Sequence, residues 1–188
     1  MKRSKLKPVE VTVPLKLDLG CGKNKQPGFH GVDVLKFDGV DTVLDLSSGS
    51  WPWADNSIDE VHSSHFVEHL ESPQRVHFFN ELYRVLRDGA KATIIVPHWS
   101  NERAYGDPTH KWPPVVGFFW YYMSREWRAS NAPHTGLTCN FEAQWGPTFG
   151  PPWTLKNPEM QSFAMNHYIN AAQDMISTLT KRASIPNK

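Results

Sequence analysis

Cysteine is scarce in this chain: two residues in 188, Cys21 and Cys139. So few thiols make no disulfide framework and fit a reduced, cytoplasmic setting. Long apolar runs are missing too. None approaches the ~18 residues of a membrane span, and no signal peptide is visible, so no membrane partner is expected. Neither sign of charge dominates: 20 Lys and Arg against 19 Asp and Glu leave a net +1. Without a global field there is nothing to draw in nucleic acid, and the basic stretch MKRSKLK reads as a solvated tail. Repeats and low-complexity segments are absent as well. What the chain does have is eight tryptophans and nine histidines, unevenly spread.

The length suits a single domain with one core. Residues 1–13 read as the basic tail, 14–97 as a ligand-binding core, 98–157 as a lid or insertion over the acceptor, and 158–188 as a helix or strand completing a sheet. Apolar runs predict strands at Leu15–Leu19, Phe29–Val34, Thr42–Leu46, Ile58–Ser63 and Ala92–Val96. Between the last two, Val76, Phe79, Tyr83 and Leu86 recur at helical spacing, with Ser72 as N-cap candidate before Pro73 and Gly89 at C′. Strands alternating with helices or short loops imply an α/β, doubly wound parallel sheet. Only six residues separate Gly22 from Phe29, too few for a crossover helix. Further strands are expected at Leu137–Gln144 and near Met175–Thr180.

In such a sheet ligands bind at the carboxyl ends of the strands. The stretch LKLDLGCGKNK puts Gly20 and Gly22 at that edge, where glycine permits positive φ and close backbone approach. Asp33 closes the second strand, where it can accept two ribose hydroxyls, and Asp45 closes the third, where it can accept from an adenine amine. A dinucleotide fits poorly. Its pyrophosphate needs a full helix amino end and a third glycine, where this chain has Asn24, and Asp18 would repel phosphate. A cofactor carrying an ammonium and a sulfonium suits these residues better.

The motifs LDLGCGKNK, GVDV, VLDL, WPWADNSIDEVHSSHFVEHL and ELYRVLRDGAKATIIVP resemble, in order and spacing, the class I S-adenosylmethionine-dependent methyltransferases, most closely the small type 11 branch. The resemblance spans roughly residues 15 to 97 and implies a Rossmann-like, seven-stranded sheet with the last strand antiparallel. It implies S-adenosylmethionine as cofactor and S-adenosylhomocysteine as product. Asp18 would then lie near the cofactor's amino group, and Leu19, Gly20, Cys21 and Gly22 would cradle its methionine part. Asp33 would grip the ribose, Asp45 and Leu46 would read the adenine, and His65 would line the sulfonium end. Asn24, standing where the family has glycine, leaves the form of the cradle open.

HFVEHL places His65, Glu68 and His69 on one face of a helix, a set of ligands suited to a divalent metal. Related methyltransferases that hold a metal use a similar Glu-x-x-Glu-His arrangement, with His98 or His110 here as the further ligand. Type 11 sequences that need no metal carry EHL as well, and no metal is expected. The segment VPHWSNERAYGDPTHKW is where a methyl acceptor should approach. A hydroxyl acceptor needs its proton removed, which makes His98 and His110 the candidate bases and Asp107 an orienting or alternative base. Each has a plainer role open to it: His98 as a strand cap, DPTH as an Asx-type turn. The aromatic residues of 98–157 suit stacking on a sugar or planar acceptor, or a core of their own. The expected acceptor is a small molecule or glycan-like compound methylated at oxygen. The alternatives are a nucleic-acid methyltransferase and a cofactor-binding interaction module.

Overall fold

Period-two alternation in the central strands decides which face of the sheet is covered. In the computed structural model, which describes residues 14–183, Leu17 and Leu19 of β1 (Lys16–Leu19) are fully buried. They align with His30 and Val32 of β2 (His30–Asp33) and, through Val61 of β4 (Ile58–Ser64), with Ala92 of β5 (Leu86–Pro97). Two residues, Thr42–Val43, form β3, and the sheet is completed by β6 (Phe141–Phe149) and β7 (Ala172–Lys181). The seven strands run in the order β3-β2-β1-β4-β5-β7-β6, with β7 antiparallel to both its neighbours. This is the α/β, Rossmann-like sheet expected from the sequence.

Helix α1 (Ser72–Val85) covers the Leu17 face. Glu71 rather than Ser72 is its N-cap, and Gln74 accepts the Glu71 N–H at 2.8 Å. Phe78, Phe79, Leu82 and Val85 are fully buried in one cluster with Leu17, Leu19, Val61, Ala92 and Ile94. Gly89, expected as the helix's C′ residue, lies beyond the helix end with φ +78°, where the pairing jumps from Ile58–Leu86 to Glu60–Lys91. The glycine serves a bulge in β5, and the strand therefore starts earlier than Ala92.

The aromatic segment does not behave as a lid. Gly117–Met123 forms 3-10 turns whose Trp120 and Met123 sit in the α1 cluster, Phe119 and Trp120 packing 5.5 and 6.0 Å from Phe79. Tyr121 meets Trp145 of β6 at 5.1 Å. These rings help to cover the β5-β7-β6 half of the sheet. Helix α3 (Arg125–Asn131) is locked beside them by buried Arg128, which donates to Tyr122 O and Cys139 O. The stretch from His98 to Val116, with the single-turn helix α2 (Arg103–Gly106), follows β5 at the carboxyl edge, where the β6–β7 connection also lies. β6 starts four residues later than expected, at Phe141 rather than Leu137. Helix α4 (Pro158–His167) precedes β7, so the C-terminal stretch supplies both a helix and a strand. The basic tail at 1–13 lies outside the described residues.

The other face carries Lys16, Asp18, Glu60, His62, Thr93, Thr178 and Ile176, and among the described residues no helix packs on it. The crossovers from β1 to β2, β2 to β3 and β3 to β4 are all loops. The alternation makes this tolerable, since the outward set is polar or β-branched. Lys16 pairs with Glu60 at 2.6 Å, and Phe29 of the first loop packs against His62 with ring centroids 6.2 Å apart.

At the opposite end of α1, Arg84 joins the helix to the β3–β4 loop. It donates to both oxygens of Glu81, to Asp55 and to the carbonyls of Trp51 and Trp53. Glu81 also accepts the Trp51 N–H at 2.7 Å. Arg84 holds the Glu81 carboxyl below its ordinary range. A depressed carboxyl contributes stability above its unfolded pKa of about 4.3, and that contribution disappears as the pH falls through the folded value. Urea midpoints measured from pH 7 down to 3 should therefore fall less steeply for Glu81→Gln than for wild type. Parallel acid limbs would show that this cluster contributes nothing.

Candidate active site

The carboxyl ends of β1, β2 and β4 bring the predicted cofactor residues together. Gly20 (φ +71°) and Gly22 (φ +52°) turn the chain after β1, and the Gly20 and Cys21 N–H groups donate to Val32 O at 2.8 and 3.2 Å. A Cβ on Gly20 would lie 2.5 Å from the Phe66 ring, whereas one on Gly22 would meet nothing within 4 Å. Gly20 is thus packed shut by Phe66, and Gly22 borders open space. Asp33 closes β2 and accepts the Gly22 N–H and the Leu35 N–H, both at 2.9 Å. It pins the glycine turn to the end of β2 and keeps lone pairs for ribose hydroxyls. Cys21 is buried beside it, and that burial raises its thiol pKa.

Other predicted residues have duties of their own. Asp18 is buried and accepts from Gln26 N–H and His62 Nδ1, each at 2.7 Å, which stitches β1 to β4 and holds down the first loop. Asn24 is exposed in that loop, with its N–H on Cys21 O at 3.1 Å. Asp45 is exposed and caps a turn, accepting from Ser47 N–H and Ser48 Oγ; the Ser47 hydrogen bonds lower its pKa. Leu46 is a core residue alongside Trp51, so only its backbone is left for an adenine. The set fits a cofactor with ribose hydroxyls and a cationic end, because carboxylates stand at this edge and among the described residues no helix amino end follows β1 to receive a phosphate.

Next to Phe66 the histidines converge. His65 directly follows β4 in the left-handed region (φ +55°), an uncommon conformation for a residue with a side chain, which the surrounding structure must hold in place. The following 3-10 turn, Val67–His69, replaces the helix expected for HFVEHL. A hollow of about 660 Å³ is lined by His65, Glu68, His69, Pro97, Arg103, Asp107 and His110, among others. His65 Nδ1 lies 3.3 Å from Glu68 Oε1, and the Glu68 carboxylate is the main reason its pKa is raised. His69 and His110 meet edge to face at 4.7 Å, and the His110 Nε2 is 4.0 Å from Asp107 Oδ2. Lys111 N–H donates to Glu68 O at 2.8 Å, which folds this loop back onto the turn.

His98 does not join them. It is buried in a separate hollow of about 250 Å³ with Trp145, Met165 and Met175, and its Nδ1 accepts the Ser100 N–H at 3.2 Å. Burial lowers its pKa. The reason lies in the sheet: the His98 N–H continues the ladder onto Gln173 O, which turns the side chain away from His65. Of the two candidate bases, His110 alone lines the hollow with His65 and Glu68. Sequence reasoning missed Phe66, which fills the space over Gly20, and Thr109, whose hydroxyl bridges His69 Nδ1 (2.9 Å) and Asp107 Oδ1 (2.7 Å). The Asx-type turn in DPTH was the available signal for Thr109. Nothing local marked Phe66.

The strand order and its antiparallel seventh strand define the class I methyltransferase fold. Among solved structures it is shared with an S-adenosylmethionine-dependent methyltransferase from Archaeoglobus fulgidus, at TM-score 0.65 and 20% identity over 89% of this chain and 86% of that one. It is shared as well with geranyl diphosphate C-methyltransferase from Streptomyces coelicolor, solved with Mg2+, geranyl diphosphate and S-adenosylhomocysteine (0.53, 14%, 90% and 71%). The cyclase SpnF is a further neighbour (0.54, 16%, 93% and 77%). At such identities these likenesses establish the fold, which an enzyme named for another reaction also uses. A search of curated proteins finds no significant match. A family model described as a methyltransferase domain matches residues 33–94, from the end of β2 into β5. That match takes in about a third of the chain and lies within the sheet that carries the shared fold.

Proposed function

We propose that this enzyme methylates a small-molecule or glycan-like acceptor at oxygen, in the hollow between His65 and His110. The observation that carries this reading is the composition of that hollow. It is walled by imidazoles and carboxylates next to Phe66, whose ring packs on Gly20, and its arginine, Arg103, is already paired with Asp174. A nucleic-acid acceptor calls for an unpaired basic trough instead. A second hollow of about 620 Å³ shares Glu102 and Gly106 with the first and is lined by Trp99, Tyr105 and Tyr168. These rings offer a stacking surface for a sugar or planar body, while its hydroxyl reaches the histidines. Among the described residues no helix is long and apolar enough to cross a membrane.

S-adenosylmethionine supplies an electrophilic methyl group on a sulfonium. The chain's residues bind and orient: Gly20 and Gly22 shape the turn, Asp33 accepts the ribose hydroxyls, and Phe66 and His65 wall the side toward the acceptor. His110 is the group through which the pocket acts on the acceptor hydroxyl as it loses its proton, with the Asp107 carboxylate 4.0 Å from its Nε2.

Asp33→Ala should weaken S-adenosylhomocysteine binding by about 1–3 kcal/mol, through loss of paired hydrogen bonds. Because Asp33 also holds the Gly22 N–H, Asp33→Asn serves as the second variant; it keeps one acceptor and should lose less. Calorimetric titration of both checks this, and unchanged affinity in both would place the ribose elsewhere.

A further inference from the structure

Glu68, His69 and His110 each bring one ligating atom within 4.8 Å of the others. Glu68 is 4% exposed, yet neither carboxylate oxygen receives a hydrogen bond. Buried carboxylates are otherwise paired or ligate a cation. The two neighbouring basic side chains leave both oxygens without a hydrogen bond. His65 Nδ1 is close, at 3.3 Å, but directs no N–H at the carboxylate. Buried Arg75 gives its terminal nitrogens to Pro113 O and Lys111 O.

The hydrogen bonds around the two histidines fix which nitrogen is free. A carbonyl only accepts, so His110 Nδ1, 3.1 Å from Ala104 O, carries the proton. Thr109 donates its one hydroxyl proton to Asp107 Oδ1, so at 2.9 Å it must accept from His69 Nδ1–H. In its neutral form each ring therefore keeps its lone pair on Nε2, oriented by a carbonyl or a carboxylate-linked hydroxyl, the usual outer partners of ligating histidine. In that form, two imidazole lone pairs beside a carboxylate that receives no hydrogen bond are mutually repulsive unless a cation lies among them.

We propose that Glu68, His69 and His110 bind a divalent first-row transition metal ion such as zinc, with its remaining positions open to the hollow. Two nitrogen donors disfavour magnesium, which takes oxygen ligands. Bonds of about 2.0–2.2 Å require the three donor atoms to draw together by roughly an ångström from their present spread, a matter of side-chain rotation. This departs from the sequence-based expectation of no metal, and His110 takes the place of His65 in the alternative set His65, Glu68, His69. The ion's role rests on the proposed function; its binding does not. There it polarises the acceptor oxygen. The O–CH3 bond forms as the C–S bond breaks, the electron pair stays on sulfur, and the hydroxyl proton passes to His65 or solvent. His110 then acts as a ligand instead of the base.

The test uses the full chain without an affinity tag, stripped with chelator and titrated with Zn2+, Co2+ and Mg2+. Expected are one equivalent of Zn2+ or Co2+, a visible Co2+ band of four- or five-coordinate type, and no Mg2+ binding. Glu68→Gln and His69→Ala should each weaken Zn2+ affinity at least 100-fold. Thr109→Val, which leaves every ligand in place, should weaken it about 10–100-fold. Circular dichroism establishes that each variant is folded, and Thr109→Val stands in should a ligand variant fail to fold. Binding below a tenth of an equivalent, or affinity unchanged in the folded variants, overturns the site. Methyl transfer by fully stripped enzyme overturns the ion's role and leaves the methyltransferase reading intact. Metal binding without transfer to any acceptor overturns that reading and leaves the site standing.

Discussion

His110→Ala should lower methyl transfer by about 10²–10⁴-fold, equivalent to roughly 3–5 kcal/mol of transition-state stabilisation. S-adenosylhomocysteine affinity should stay nearly unchanged. The two expectations separate because of where His110 sits. It faces the hollow from the loop after β5, bonded to Ala104 O, whereas the glycine turn and Asp33 belong to β1 and β2. Single-turnover rates with labelled S-adenosylmethionine measure the first quantity and calorimetry the second. Equal losses in both would make His110 a structural residue, with its ring serving only to pack on His69. Rescue by added imidazole would place the missing function in the ring itself.

Gly20→Ala carries the other large effect. The φ of +71° disfavours any side chain, and the new Cβ would stand 2.5 Å from the Phe66 ring. The conformation costs about 1–2 kcal/mol and the overpacking about 1–3 more, so a loss near 2–5 kcal/mol in unfolding free energy is expected. Phe66 follows His65 and packs against Phe78 at 5.6 Å, so relief of the clash disturbs the histidine hollow as well as the turn. Adding Phe66→Ala should recover part of the stability lost by Gly20→Ala, a non-additive result read from a double-mutant cycle in urea. Strict additivity would show that the strain lies in the backbone alone.

Much of the sheet was legible because its signals are local. The glycine turn, Asp33 and the apolar period of α1 each occupy one short stretch, and the six-residue gap after Gly22 foretold a missing helix. The lone winding of helices on one face was harder to see. Lys16 and Asp18 alternate with Leu17 and Leu19, yet a short strand of this kind reads as simply buried until its partners are known. β6 was placed too early because Gly146 and Pro147 interrupt its run, which an edge strand tolerates and a central one does not. The candidate site was legible as a list of residues and not as a grouping. His98 and His110 look equivalent in the sequence. The ladder bond from His98 to Gln173 turns one away, and the bond from Lys111 to Glu68 folds the other in. Both depend on partners far along the chain.

The reading of this protein as a small-molecule O-methyltransferase is tested most directly by label transfer from methyl-labelled S-adenosylmethionine into fractionated extracts. The account predicts label in the small-molecule or glycan fraction, on an oxygen recovered as a methyl ether or ester, and its loss with His110→Ala. Label in the nucleic-acid fraction, or none in any fraction while S-adenosylhomocysteine still binds, would contradict it.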